Sequence, residues 1–141
     1  MKDPLKPRIK IYSDGSAQPN PGRGGWAAII IRADHVTTLT GSEHPSTSNR
    51  MELKAIVEAL RHIDEPSTVW IYSDSTYATL ARRKAWRLKM LDEGCPNRDL
   101  WTQLAPLLDQ HTIHWHHVSA HTGIRLNEEV DQLAKEAAKH S

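Results

Sequence analysis

The sequence predicts an α/β fold with a five-stranded mixed sheet, in which three parallel strands join an antiparallel meander and helices cover both faces. The main observation is a four-residue motif that occurs twice, as Ile11-Tyr12-Ser13-Asp14 and as Ile71-Tyr72-Ser73-Asp74, each time after strand-like residues. The chain between the two copies contains one long helical pattern. Strand, helix and strand in one sheet form a right-handed parallel crossover, so the two copies are predicted to be parallel strands.

The two aspartates, Asp14 and Asp74, end these predicted strands. If the strands pair, the aspartates lie at the same edge of the sheet, roughly 5 Å apart at the backbone. Two ionised carboxylates at that separation repel, so either one takes a proton or a cation lies between them. Ligands of open α/β sheets bind at this carboxyl edge. We therefore expect a hard divalent metal there.

Length and composition indicate one domain over residues 1–141, with residues 1–7 as a short tail. Charged residues make up 25% of the chain and hydrophobic residues 38%, as in soluble globular proteins. No apolar run approaches the ~18 residues of a spanning helix, so we expect no membrane contact. Cys95 is the single cysteine, which excludes disulfides and cysteine zinc sites and favours a cytoplasmic location. The net charge of +1 argues neither for nor against nucleic acid.

The meander is predicted from two further strands. The first strand is followed by a turn-rich hairpin loop from Gly15 to Gly25, whose glycines would also let backbone N–H groups approach a ligand. Apolar residues 26–32 and the threonine-rich run 36–40 are the next strands, and residues 41–46 are predicted as a loop. A strand over residues 112–118 follows from alternation, so His114, His116 and His117 are interpreted as strand residues and not as a metal cluster.

The longest helix is predicted to begin at the capping residues 46–49 and to extend to about His62. Its apolar stripe projects back onto Glu52, and a carboxylate in line with a buried stripe is costly unless a positive group meets it. The alternative is that Glu52 reaches solvent or pairs with Arg50. Further helices are predicted over residues 76–84 and 99–109 and at the C-terminus, where Asn127 and Asp131 lie one turn apart.

A basic segment follows the second aspartate strand. Five cationic residues occur within eight positions, with Trp86 among them and no acid: Arg82, Arg83, Lys84, Arg87 and Lys89. Such a run is either a solvated helix face or a patch that contacts phosphates beside an aromatic platform. Both interpretations stay open at this point.

Short motifs spread over nearly the whole chain carry a resemblance to one family. They are Asp14-Gly15-Ser16, Asn20-Pro21-Gly22, Asn49-Arg50-Met51-Glu52, Ser73-Asp74-Ser75, Asp99-Leu100-Trp101, and His121 with Asn127 and Asp131. Each is weak alone, but their order and spacing together are specific. The chain resembles type 1 ribonuclease H of the bacterial or phage kind, with a shortened basic handle.

The resemblance implies the ribonuclease H fold and an endoribonuclease that cleaves the RNA strand of RNA/DNA hybrids, leaving 5′-phosphate and 3′-hydroxyl ends. It also implies two Mg²⁺ ions, for which Mn²⁺ can substitute, bound with the substrate by Asp14, Glu52, Asp74 and Asp131. His121 would lie on a loop and help proton handling or product release. We expect the enzyme to act as a monomer.

The resemblance also assigns substrate contacts. Positions that read the 2′-hydroxyls and strands in the minor groove match Gly15, Ser16, Asn20, Ser48, Asn49 and Thr76. The pocket for a phosphate of the DNA strand matches Thr47 and Asn97. Ser48 and Thr76 replace the asparagine and glutamine common in the family, and the segment between Trp86 and Asn97 is short. We therefore expect weak hybrid binding that depends on Arg83, Lys84, Trp86 and their neighbours.

Two other functions are possible from the sequence. Integrases, transposases and junction resolvases share the acidic edge but act on DNA, and cleavage of a hybrid but not of duplex DNA would separate them from this chain. A binding module of the same fold that has lost its chemistry is the second alternative. The presence of all four acids and of His121 argues against it.

Overall fold

The computed structural model describes residues 7–118 and 125–141, and five strands in this part of the chain form one sheet in the order β3-β2-β1-β4-β5. The strands are β1 (Arg8–Gln18), β2 (Gly22–Arg32), β3 (His35–Ser46), β4 (Thr68–Ser73) and β5 (Thr112–His117). The pairs β1–β2 and β2–β3 are antiparallel, whereas β4 is parallel to both β1 and β5. The predicted mixed sheet is confirmed.

The helices are α1 (Ser48–Arg61), α2 (Thr76–Thr79), α3 (Lys84–Lys89), α4 (Arg98–Gln110) and α5 (Arg125–Lys139), with a 3₁₀ turn at Leu80–Arg82. The prediction of one helix over residues 76–84 is wrong. Arg83 has extended backbone angles (φ −95°, ψ 113°), so the chain breaks there and the basic residues that follow lie on the separate helix α3.

Both faces of the sheet are covered by helices, as predicted. Ile9 and Ile11 of β1 are fully buried in a cluster with α1 and α4, whereas Ala27 and Ile29 of β2 pack with α5 on the other face. The alternation of side chains along each strand separates the two clusters. Burial of each isoleucine contributes about 1.5–3 kcal/mol, so both layers hold the sheet edge in place.

Two loops predicted from turn residues are largely strand, and those predictions are wrong. β1 continues past Asp14 to Gln18, which pairs with Arg23, so only residues 19–21 form the turn. Residues 41–46 belong to β3 and pair with β2, with a bulge near Gly24. Glycine is needed here for close packing of the strand against a helix and not for a turn, since a Cβ at Gly25 would lie 2.3 Å from the carbonyl oxygen of Ala134 in α5.

Across the described residues, none of the helices has both the length and the apolar character that crossing a membrane requires.

Candidate active site

Three of the predicted carboxylates meet at one edge of the sheet. The parallel register of β1 and β4 ends with Tyr12 opposite Tyr72, and Asp14 and Asp74 follow two residues later. Glu52 reaches the same place from the first turns of α1. One carboxylate oxygen from each of these three acids lies within 4.8 Å of the other two. The two copies of the repeated motif thus position Asp14 and Asp74, and the helix between the copies supplies Glu52.

Gly15 allows α1 to bring Glu52 this close. A Cβ at Gly15 would lie 2.2 Å from the backbone nitrogen of Glu52 and 2.3 Å from the carbonyl carbon of Met51, distances that no side chain tolerates. The Gly15 N–H itself donates to Asp14 Oδ1 at 3.0 Å. The absence of a side chain at Gly15 therefore determines the distance between the strand that carries Asp14 and the helix that carries Glu52.

Burial makes the cluster hard to ionise. Asp14 and Glu52 are only 4% and 9% exposed. Burial, followed by a hydrogen bond that protonated Asp14 donates to Asp131 and by the charge of Asp74, raises the pKa of Asp14 to about 8. Burial, followed by the charge of Asp14, raises the pKa of Glu52 well above its ordinary value. Without a cation, the cluster therefore retains protons at neutral pH.

Asp131, the fourth predicted acid, lies on α5 next to Asp14, since the two side chains share a hydrogen bond. Its other neighbour is Lys135, whose Nζ lies 3.0 Å from Asp131 Oδ2 one turn later on the same helix. The sequence prediction missed this lysine, although the Asp–Lys spacing of four residues is a recognised signal for a helical ion pair.

The cluster fits a hard divalent cation. Mg²⁺ binds carboxylate oxygens, and the four acids offer such oxygens from two strands and two helices. Glu52 Oε2 is buried and has no hydrogen-bond partner among the described residues. An unpartnered buried carboxylate oxygen beside two more carboxylates is costly for the protein alone, and a bound cation would satisfy it.

The raised pKa values predict how the stability of the metal-free protein depends on pH. The Asp14 pKa is about 8 in the folded protein, whereas an unfolded aspartate ionises near 3.8. The folded protein binds more protons than the unfolded chain between these values, so the cluster's contribution to the free energy of unfolding falls as the pH rises from about 4 to about 8. Glu52 acts in the same direction. Urea denaturation at several pH values measures the slope.

Asp14→Asn is the matched control for this slope because asparagine cannot ionise. Its free energy of unfolding should exceed that of the wild type by an amount that grows as the pH rises through this window. Parallel pH profiles for the two proteins would contradict the raised pKa of Asp14.

The predicted minor-groove residues lie together at the start of α1. Thr47 caps the helix, since its hydroxyl oxygen accepts from the backbone N–H of Arg50 at 3.1 Å. Asn20, in the turn between β1 and β2, accepts from the backbone N–H of Ser48 at 3.2 Å. Asn49 follows in the first turn. Gly15 and Ser16 lie nearby on β1, and Thr76 is the first residue of α2.

Arg50 joins this region to α4 through a network that the sequence prediction did not identify. Its guanidinium donates two hydrogen bonds to Asp99, at 2.8 and 2.7 Å, and a third to Glu43. Arg50 does not pair with Glu52, so that alternative is wrong, and Glu52 is buried. Asn97 lies beside the network, 3.4 Å from Arg50 Nη1, and donates to the Tyr77 hydroxyl at 3.1 Å. The sequence signal that could have indicated this network is that Arg50 and Asp99 each lie in one of the short motifs described above.

The basic segment is exposed apart from Arg87, which donates to the carbonyl oxygen of Ala81, and Trp86. Arg83 precedes α3 and Lys84 is its first residue, and neither takes part in an ion pair among the described residues. The Trp86 ring is half-buried against the core, and its indole nitrogen is buried without a partner among the described residues. Contact of these residues with substrate stays a prediction.

The predicted histidine lies outside the described residues, since His121 falls within 119–124. The histidines of β5 are strand residues, as interpreted. His114 stacks on Trp70 with ring centroids 5.0 Å apart, and His116 stacks on Tyr72 at 4.9 Å. Their neighbours are aromatic rings, which fits a structural role.

Comparison with known proteins finds one family. A family model described as RNase H matches residues 6–139. A ribonuclease H of Chlorobium luteolum is 38% identical over 141 residues, covering 94% of this chain and 97% of that protein. One from Thermus thermophilus is 39% identical over 150 residues and covers 99% and 89%. The crystal structure of LC9-RNase H1, described as a type 1 RNase H with the type 2 active-site motif, superposes with a TM-score of 0.84 at 25% identity, covering 99% of this chain and 75% of that one.

Proposed function

Because this chain belongs to the ribonuclease H family, we propose that it hydrolyses the RNA strand of RNA/DNA hybrids with two divalent metal ions, leaving 5′-phosphate and 3′-hydroxyl ends. The observation that carries this proposal is the buried cluster of Asp14, Glu52 and Asp74, with carboxylate oxygens within 4.8 Å of one another. The enzyme is a metal-dependent endonuclease. Mg²⁺ is the proposed ion, and Mn²⁺ can replace it because it accepts similar oxygen ligands.

Asp14, Glu52, Asp74 and Asp131 would hold the ions, which when bound make an attacking water more acidic and stabilise the leaving oxygen. The chain supplies the conditions for this. Burial of Asp14 and Glu52 excludes bulk water from their carboxylates. Lys135 lies against Asp131, with its Nζ 3.0 Å from Asp131 Oδ2. Gly15 keeps the strand and the helix at the separation that the cluster needs.

Recognition of the hybrid is assigned to the surface around the cluster. Asn20, Ser48 and Asn49 lie together at the start of α1, where they can meet 2′-hydroxyls in the minor groove. Thr47 and Asn97 would hold a phosphate of the DNA strand, with Asn97 already oriented by Tyr77. A monomer provides all of these groups, and the cytoplasmic location stays a prediction.

Cleavage of four matched substrates of one sequence, three duplexes and one single strand, tests the proposal. With Mg²⁺, the chain should cut the RNA of an RNA/DNA hybrid and leave duplex DNA, duplex RNA and single-stranded RNA intact. End-labelled products should carry 5′-phosphates and accept extension from their 3′-hydroxyls. Cleavage of duplex DNA with the hybrid untouched would instead support a DNA-acting enzyme of this fold.

His121→Ala is expected to lower kcat by about tenfold to 10²-fold with little change in hybrid affinity. General acid–base groups contribute about 10²–10⁴-fold, and a role in product release contributes less. Steady-state and single-turnover kinetics measure the effect. His140→Ala, at the exposed end of the chain, is the control. A pure affinity defect with unchanged kcat would contradict the assignment.

Replacing Arg83 and Lys84 together by alanine is expected to raise KM for the hybrid and to flatten its salt dependence, with kcat at saturation nearly unchanged. Each cation that neutralises a phosphate contributes a log–log salt slope of about −0.9 on B-form DNA, and a hybrid should behave similarly. The two side chains are exposed, so the fold should not change. Cleavage rates at several hybrid and salt concentrations measure both quantities.

Arg61→Ala is the matched control for this double variant, because Arg61 is an exposed cation in the last turn of α1. It should leave KM and the salt slope at their wild-type values. If the Arg83 and Lys84 variant also does so, the basic segment is only a solvated helix face.

A further inference from the structure

A cavity of about 420 Å³ opens between α2, the 3₁₀ turn and β5. Its lining combines cationic, hydroxyl and aromatic side chains, namely Thr76, Thr79, Leu80, Arg82, Trp115 and His117. Among the described residues, none of those that line it is an acid, although the carboxylate cluster is close by. We name it the β5 cavity.

The β5 cavity lies beside the end of β4, the strand that Asp74 follows. His117 pairs in register with Ser73, and the backbone N–H of Val118 donates to the carbonyl oxygen of Ser73 at 2.9 Å. The end of β5 therefore lies next to the residue that precedes Asp74. Neighbouring strands are about 4.8 Å apart. Because β1 is on one side of β4 and β5 on the other, the cavity continues the carboxylate edge in the direction away from Asp14.

The cavity presents hydrogen-bond donors to an anion. Arg82 uses one guanidinium N–H on the carbonyl oxygen of Thr79 at 3.1 Å and pairs with no acid among the described residues. The remaining guanidinium N–H groups can bind a phosphate. His117 is exposed and adds an imidazole. Trp115 is half-buried against the core and supplies an apolar wall. A nucleotide, which joins a phosphate to a ribose and a flat, partly apolar base, matches this lining.

We infer that the β5 cavity is a subsite for the cleaved RNA strand, in which Arg82 and His117 bind a phosphate one or two nucleotides from the scissile bond. A nucleic-acid strand rises about 3.4 Å per nucleotide, so a site one strand spacing from Asp74 corresponds to roughly one or two nucleotides. The strand that reaches the carboxylates is the RNA strand, and its next phosphates are covalently connected to the scissile one. This inference rests on the proposed function and adds a contact to it.

Neutral linkages test the subsite. Hybrids are prepared with a single methylphosphonate on a 2′-O-methyl nucleotide at each RNA position near a fixed cleavage site, together with the same nucleotide carrying an ordinary phosphate. For the wild type, one position within two nucleotides of the cut should show a KM raised about tenfold by the neutral linkage, the scale of a hydrogen bond to a charged group.

Arg82→Ala combined with His117→Ala should raise KM for the unmodified hybrid about tenfold, keep kcat, and lose the response to that neutral linkage. Lys10→Ala, an exposed cation on β1, is the control and should respond like the wild type. If the wild type is active and the double variant keeps the wild-type KM or the wild-type sensitivity to the neutral linkage, the subsite is overturned and the proposed function is not. An inactive wild type overturns the proposed function and the subsite with it.

Discussion

Asp74→Asn is expected to abolish hybrid cleavage and to leave the fold intact. The substitution removes a carboxylate from a cluster in which three acids lie within 4.8 Å. Metal-bound transition states gain several kcal/mol of charge stabilisation, and each 1.36 kcal/mol changes a rate tenfold, so kcat should fall by about 10³-fold or more. Single-turnover cleavage with excess enzyme measures the loss without interference from binding.

The same variant should be more stable than the wild type when no metal is present. The charge of Asp74 raises the pKa values of both Asp14 and Glu52, so its removal relieves repulsion within the cluster. We expect urea denaturation of the metal-free proteins to give a higher free energy of unfolding for the variant than for the wild type. Asp64→Asn, in the loop after α1, is the control and should change neither quantity. An active Asp74→Asn enzyme would remove this residue from the metal site.

Gly15→Ala is expected to damage stability and activity together. The added Cβ would lie 2.2 Å from the backbone nitrogen of Glu52, and backbone atoms of α1 cannot move aside as a flexible side chain can. Overpacking typically costs about 1–3 kcal/mol, and this contact belongs at the upper end. Displacement of α1 also moves Glu52, and a shift of about 1 Å in a site can cost about 10²-fold in rate.

Thermal unfolding and single-turnover cleavage of Gly15→Ala measure the two effects. Gly94→Ala separates a general cost of replacing glycine from the clash, because nothing lies within 4 Å of a Cβ at Gly94, although its positive φ of 88° adds some strain there. Gly94→Ala should keep full activity. Wild-type stability and kcat in Gly15→Ala would show that the close approach of β1 and α1 is not required.

Much of the fold could be predicted because its signals are local. The repeated motif that ends in Asp14 and Asp74 indicated two parallel strands, and the apolar stripe of α1 indicated that Glu52 lies at the buried edge. The turn-rich residues after Asp14 misled the prediction, since antiparallel pairing with β2 overrides their turn propensity as far as Gln18. Local propensity was a poor guide where long-range pairing decides the structure.

The parts of the site that could not be predicted depend on contacts between distant residues. Arg50 bonds Asp99 across 49 positions, and Gly15 meets the backbone of α1 across 37 positions, from residue 15 to residue 52. Neither contact leaves a periodic pattern in the sequence. Lys135 is different, because its spacing from Asp131 was visible and only its place beside the cluster required the structure.

Titration of metal-free protein with Mg²⁺, with the released protons recorded, tests the central claim that this cluster is a cation site. The pKa of Asp14 is about 8 and that of Glu52 is raised well above its ordinary value, so the cluster holds protons at pH 7 that a bound cation must displace. We expect about one proton or more per protein at pH 7, fewer as the pH rises past 8, and no saturable binding in Asp74→Asn. Mg²⁺ binding without proton release at pH 7, or with unchanged affinity in Asp74→Asn, would contradict the account.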